Sequence, residues 1–145
     1  MKRMFFLCLL FLGLAARSNP LVHGEWIGYV VVGETKLRAT LYIQDDTNTG
    51  TISGDIVLNY TYKDGKVYTC KAHCRGNIDY KTYDFNLVME EYVYYDLLPE
   101  GMKWCLSTIY ASIRREMTMK QYVLLGSLKN KCTTTASSLI MLKRQ

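Results

Sequence analysis

Histidine and proline are nearly absent, two of each in 145 residues. Two histidines exclude a His-rich metal centre and any catalytic scheme needing several imidazoles. Two prolines and no low-complexity stretch leave no candidate linker. Nothing matches Gly-x-Gly-x-x-Gly or a Walker loop, so no phosphate cradle is legible. Net charge is also scarce. The chain carries 18 Lys+Arg against 13 Asp+Glu, but Lys2, Arg3 and Arg17 fall in a segment that reads as removable, which leaves 15 against 13. A near-neutral chain with interspersed charges offers no footprint for nucleic acid. What remains is globular material, 49% hydrophobic and 12% aromatic. A chain of this length and composition makes one domain, not a disordered, collagenous or multi-pass one.

The N-terminus reads as a secretory leader over 1–18. Met1-Lys2-Arg3 is basic, residues 4–14 are apolar except Gly13, and the small residues Ala15, Ala16 and Ser18 follow. The apolar run is too short for a span of about 20 residues. Cleavage fits after Ala15 or after Ser18; the alternative is an uncleaved anchor. No second apolar stretch is long enough to cross a bilayer. The expectation is an exported protein, periplasmic or extracellular, with one domain over 19–145.

Four cysteines then remain, Cys70, Cys74, Cys105 and Cys132. An even count in an exported chain points to disulfides. Cys132 follows an expected strand, and a short hairpin brings it back beside Cys105, so Cys105–Cys132 is the expected bridge. Cys70 and Cys74 are left open between a disulfide and two inert thiols. On an extended strand they lie about 13 Å apart on one face, so pairing requires a turn between them. A metal site of Cys70, His73 and Cys74 lacks paired spacing and a fourth ligand. No metal and no cofactor is expected.

The dominant period is two. Leu37, Ala39, Leu41 and Ile43 alternate with polar residues, as do Ile52, Ile56 and Leu58, and Tyr83, Phe85, Leu87 and Met89. Polar loops separate the runs at 45–50 and 130–138, and Asp64-Gly65 carries the residues of a type I′ hairpin turn. The reading is all-β, with strands near 25–32, 36–44, 51–61, 66–77, 83–95, 103–114, 118–129 and 138–143. Short connections imply antiparallel neighbours, hence an up-and-down barrel; the alternative is a β-sandwich.

Gly24-Glu25-Trp26 at the first strand resembles the start of lipocalin-like and other calycin barrels, in which the Trp caps the closed end. Trp26-x-Gly28, Gly50-x-Ile52-x-Gly54, Trp104-Cys105, Gly126 and Cys132 together look like small exported bacterial β-barrel modules. The resemblance implies a fold, an exported location and structural roles for Trp26, Gly28 and Trp104. It implies no catalytic residue.

Catalytic candidates are thin. His73 adjoins Cys74, but strand neighbours face apart, which opposes a dyad. Glu90 and Glu91 face apart for the same reason and read as solvated charges. His23 reads as solvated. Asn59-Tyr60-Thr61 matches a glycosylation acceptor. Tyrosine is the strongest feature, with 12 against 4 Phe. Tyr92, Tyr94 and Tyr95 cluster at the end of one strand. Tyr joins large contact area to a polar tip, which suits recognition, although it is also a good strand residue. The expected function is a non-catalytic, monomeric binding module for an unknown protein, polysaccharide or small apolar ligand, with no nucleic acid. A lipocalin-like carrier and a secreted inhibitor of lysozyme or a protease are the alternatives.

Overall fold

The computed structural model describes residues 17–145 apart from Met119 and Lys131. The leader expected over 1–18 lies outside them except for Arg17 and Ser18. The chain forms eight strands: β1 (Gly24–Val32), β2 (Thr35–Asp46), β3 (Thr51–Thr61), β4 (Val67–Asp79), β5 (Asp84–Tyr95), β6 (Thr108–Glu116), β7 (Gln121–Lys129) and β8 (Ser137–Lys143). Each pairs antiparallel with the next, and β8 pairs with β1 to close an up-and-down barrel. No helix among the described residues is long and apolar enough to cross a membrane.

Alternation explains the closure. Trp26 and Val30, then Leu41, Ile43, Ile56, Leu87, Ile109, Leu124, Leu139 and Met141, point inward and are buried. Fully burying one such side chain contributes about 1.5–3 kcal/mol. Closure also pairs both edges of every strand over at least part of its length, which limits the edge open to aggregation. Tight coiling needs glycine at four inward positions. A Cβ at Gly28, Gly54, Gly76 or Gly126 would meet the carbonyl oxygen of Ile140, Tyr42, Asn86 or Tyr110, respectively, at 1.9, 2.0, 1.8 and 2.3 Å. These approaches lie between β1 and β8, β3 and β2, β4 and β5, and β7 and β6, so every strand takes part in one.

Three details differ from the sequence reading. β2 runs on to Asp46, so Asp45 is the last inward residue of the strand, and buried, not part of a polar loop. β6 starts at Thr108, because Lys103, Trp104 and Cys105 belong to a long connection. At the Asp64-Gly65 turn only Gly65 has positive φ, and its N–H bonds Tyr62 C=O. A type I′ turn needs positive φ at both central residues, so this is a type I turn ending in a left-handed glycine.

Candidate functional site

The barrel has two dissimilar ends. At the first, residues 19–23 fold across the opening. Asn19 caps this plug: its Oδ1 accepts from Leu21 N–H at 2.9 Å, and its carbonyl accepts from the N–H groups of Val22 and His23. Val22 and Trp26 are fully buried beneath it, and Trp26 Nε1 donates to Val22 C=O at 3.1 Å. Trp26 thus occupies the closed end, as the calycin resemblance implies. His23 is half-buried, its ring edge-on to Tyr42 and its Nδ1 without a partner, which corrects the expectation that it is solvated.

The other end is a mouth. β5 pairs with β6 only over Asp84–Val88, the shortest of the eight seams, and then continues with β4 alone. Two bulges break that last stretch. Each adds a residue on β5, so the inward position passes from Met89 to Tyr92 and then to Tyr95. Tyr92 and Tyr95 therefore share a face, with ring centroids 5.0 Å apart and planes tilted by 55°. Tyr94 lies across from Lys71 on the outer face and does not join them. Glu91, which strict alternation would place inward, is exposed opposite His73.

The connection 96–107 completes the mouth. Asp96 ties its start to β4, with N–H to Thr69 C=O at 2.8 Å and Oδ2 accepting from Thr69 N–H at 2.8 Å. Trp104 Nε1 donates to Asp96 C=O at 2.8 Å, folding the loop back on itself. Cys105 and Cys132 are disulfide-bonded, which staples this loop to the β7–β8 connection. The chain-entropy model gives a loop of that size roughly 3–4 kcal/mol. Two open concavities flank Trp104. One, about 240 Å³, is bordered by Tyr92, Tyr95, Leu98 and Met102; the other, about 570 Å³, by Met89, Tyr92, Leu106 and the disulfide. Leu97 is 82% exposed and Val93 55%. Sequence reasoning assigned Tyr92 and Tyr95 to binding and Trp104 to a structural role but gave no role to Leu97 and Met102, which flank a Leu-Pro-Glu-Gly stretch that reads only as a turn.

Cys70 and Cys74 are both free and buried on the inward face of β4. The strand stays extended there, so the disulfide weighed for them is not formed. Burial pushes the Cys70 thiol up to about 11, and burial aided by the Asp55 charge pushes Cys74 up to about 12. Both are protonated, inert thiols. His73 faces outward, so it cannot join them around a metal. Instead its Nδ1 lies 3.0 Å from Asp55 Oδ1, beside an open polar groove of about 780 Å³ that also holds Ser53, Arg75 and Glu90. Asn59 sits within β3, where its Oδ1 accepts from the Thr69 hydroxyl. That is a strand position and not the exposed loop a glycan acceptor prefers.

Fold and mouth together define a class: a closed eight-stranded antiparallel barrel with one plugged end and one aromatic, disulfide-stapled end. No protein-family model matches the chain, and no curated protein matches it.

Proposed function

We propose that this chain is an exported, non-catalytic binding module of the lipocalin-like barrel type that engages a protein partner with its mouth. One observation carries the reading: Tyr92 and Tyr95 pack together beside exposed Val93, Leu97 and Met102, around a loop that Trp104 and a disulfide hold in shape. Exposed apolar side chains on a pre-ordered loop cost little entropy to dock, and aromatic anchors dominate protein interfaces. An inhibitor of a secreted hydrolase fits this description. The carrier reading has less support, since the inward face carries large buried side chains such as Trp26, Leu41, Ile43 and Met141 and the concavities at the mouth are open.

The test is capture of partners from the exported protein fraction, using wild type, the mouth variant Tyr95→Ser/Leu97→Ser, and the outer-face variant Ile140→Ser. A species held by wild type and Ile140→Ser but lost with the mouth variant supports the reading. A partner retained equally by all three sinks it.

A second reading rests on His73 and Asp55. A carboxylate on Nδ1 orients an imidazole as a general base, and Ser53 lines the same groove. Among the described residues no hydrogen bond joins Ser53 to His73, and Asp55 also faces Lys71 at 3.9 Å, the pattern of a surface ion-pair cluster. Ester hydrolysis abolished by His73→Ala would favour this reading over the first.

A further inference from the structure

We propose that export processing cuts this chain between Ser18 and Asn19, and that the released amine is captured by the buried Asp45 carboxylate, locking the closed end of the barrel. The inference rests on the export part of the reading above and is independent of the mouth.

The geometry is already in place. The backbone nitrogen of Asn19 lies 3.2 Å from Asp45 Oδ1 and 3.0 Å from Oδ2. Asp45 is only 8% exposed, and Tyr80 donates its hydroxyl to Oδ2. None of the ion pairs among the described residues involves Asp45. Asp45 is hydrogen-bonded only by neutral donors, with the Lys143 charge acting on it from beyond ion-pair distance, and a cation at hydrogen-bond distance offsets more of the cost of burying the carboxylate. Burial changes at the same bond: Arg17 and Ser18 are exposed, with Arg17 C=O still accepting from Thr47 N–H at 2.8 Å, whereas Asn19 is partly buried and caps the plug. Asn19 Nδ2 also donates to the Tyr83 hydroxyl at 3.3 Å, so the residue is anchored at both ends of its side chain and backbone. Ala16 and Ser18 stand at the −3 and −1 positions, where a signal peptidase needs small residues.

The step balances simply. Hydrolysis by the peptidase consumes one water, breaks the Ser18–Asn19 C–N bond and leaves a carboxylate on Ser18. The Asn19 nitrogen keeps the electron pair of that bond and takes up both protons of the water, the first completing the amine and the second making it an ammonium. A nitrogen that donated one neutral hydrogen bond now carries a positive charge against both carboxylate oxygens. Asp46, Tyr80, Tyr83 and Lys143 surround the pair; Lys143, whose ammonium donates to Pro20 C=O, opposes it. The pairing favours the charged amine, so its stabilisation is present below about pH 8, the ordinary amine value, and is lost as pH rises through the higher folded value.

The experiment is intact-mass and N-terminal analysis of the exported protein, followed by melting of two refolded chains, one beginning at Asn19 and one at Ser18. The expected mature chain begins at Asn19 and melts roughly 4–8 °C above the chain that begins at Ser18, which keeps an amide at the same nitrogen. Asp45→Asn is expected to lower the melting point at least about twice as much in the Asn19 chain as in the Ser18 chain. A mature chain that begins elsewhere overturns the proposal, and a retained leader removes the export reading with it. A mature chain that begins at Asn19 but melts with the Ser18 chain leaves export standing and overturns the lock.

Discussion

At the closed end of the barrel, Trp26 is fully buried under a five-residue plug that also buries its own Val22, and Asn19 N–H and the Tyr80 hydroxyl both donate to Asp45. At the mouth, the strands lose their pairing early, and Val93, Tyr95, Leu97 and Met102 face solvent. Both ends draw on aromatic residues, but they spend them differently. Trp26 is buried with its one donor satisfied, which is a stability device. Tyr92 and Tyr95 are half-exposed, and Trp104 uses its indole N–H to shape a loop, which under the proposed function holds a surface ready for a partner. The lesson is that residue type does not assign the role; the pairing of the strand beneath does.

Trp26→Ala is the severest test of this division. It should lose about 3–5 kcal/mol in a denaturant titration while leaving partner binding by the folded fraction unchanged. Equal damage to binding would mean that the ends are coupled. Paired replacement of Cys105 and Cys132 by serine should come next, losing roughly 3–4 kcal/mol and loosening the mouth itself, so that binding weakens along with stability. Gly76→Ala, whose methyl would strike the Asn86 carbonyl, should destabilise by about 1–3 kcal/mol without touching either end. Tyr95→Ser/Leu97→Ser should sit at the other extreme. Its stability change is expected within about 0.5 kcal/mol, yet its affinity for a mouth partner should fall at least about tenfold.

The buried thiols contribute nothing near neutral pH and supply a sign at alkaline pH. Unfolded cysteine releases its proton near 9.0, whereas Cys70 holds its own to about 11 and Cys74 to about 12. Above pH 9 the unfolded chain binds fewer protons than the folded one, so stability falls as pH rises from 9 through those folded values. Cys70→Ala/Cys74→Ala should flatten that alkaline slope. In the native wild-type protein at pH 8 neither thiol should react with iodoacetamide, and both should after denaturation.

Much of the barrel was legible because period two is a local signal. The run from Leu37 to Ile43 places its own faces, and short turns oblige antiparallel neighbours. The same run continued would have reached Asp45, but a carboxylate after an apolar run reads as loop, and nothing local says that Asn19 and Tyr80 will meet it. Cys105–Cys132 followed from a hairpin that returns the chain to its start. The tyrosine cluster was visible as a cluster, but not which of its members converge. The two bulges on β5 add residues without any mark in the sequence, and they put Tyr92 and Tyr95 together while turning Tyr94 and Glu91 out. The start of β6 was misplaced for a similar reason. Residues 103–107 are as apolar as a strand, but the Trp104–Asp96 bond and the disulfide hold them as loop.

The sequence by itself determined the strand number, most of the inward faces, the antiparallel order and the Cys105–Cys132 pairing, because alternation and chain connectivity act between near neighbours. Only the tertiary structure decided which end is plugged and which aromatic residues share a surface. It alone gave the buried carboxylate at Asp45 its partners. Those outcomes depend on bulges, on seam length and on contacts such as Asn19 to Asp45, which bring together groups that chain position keeps apart.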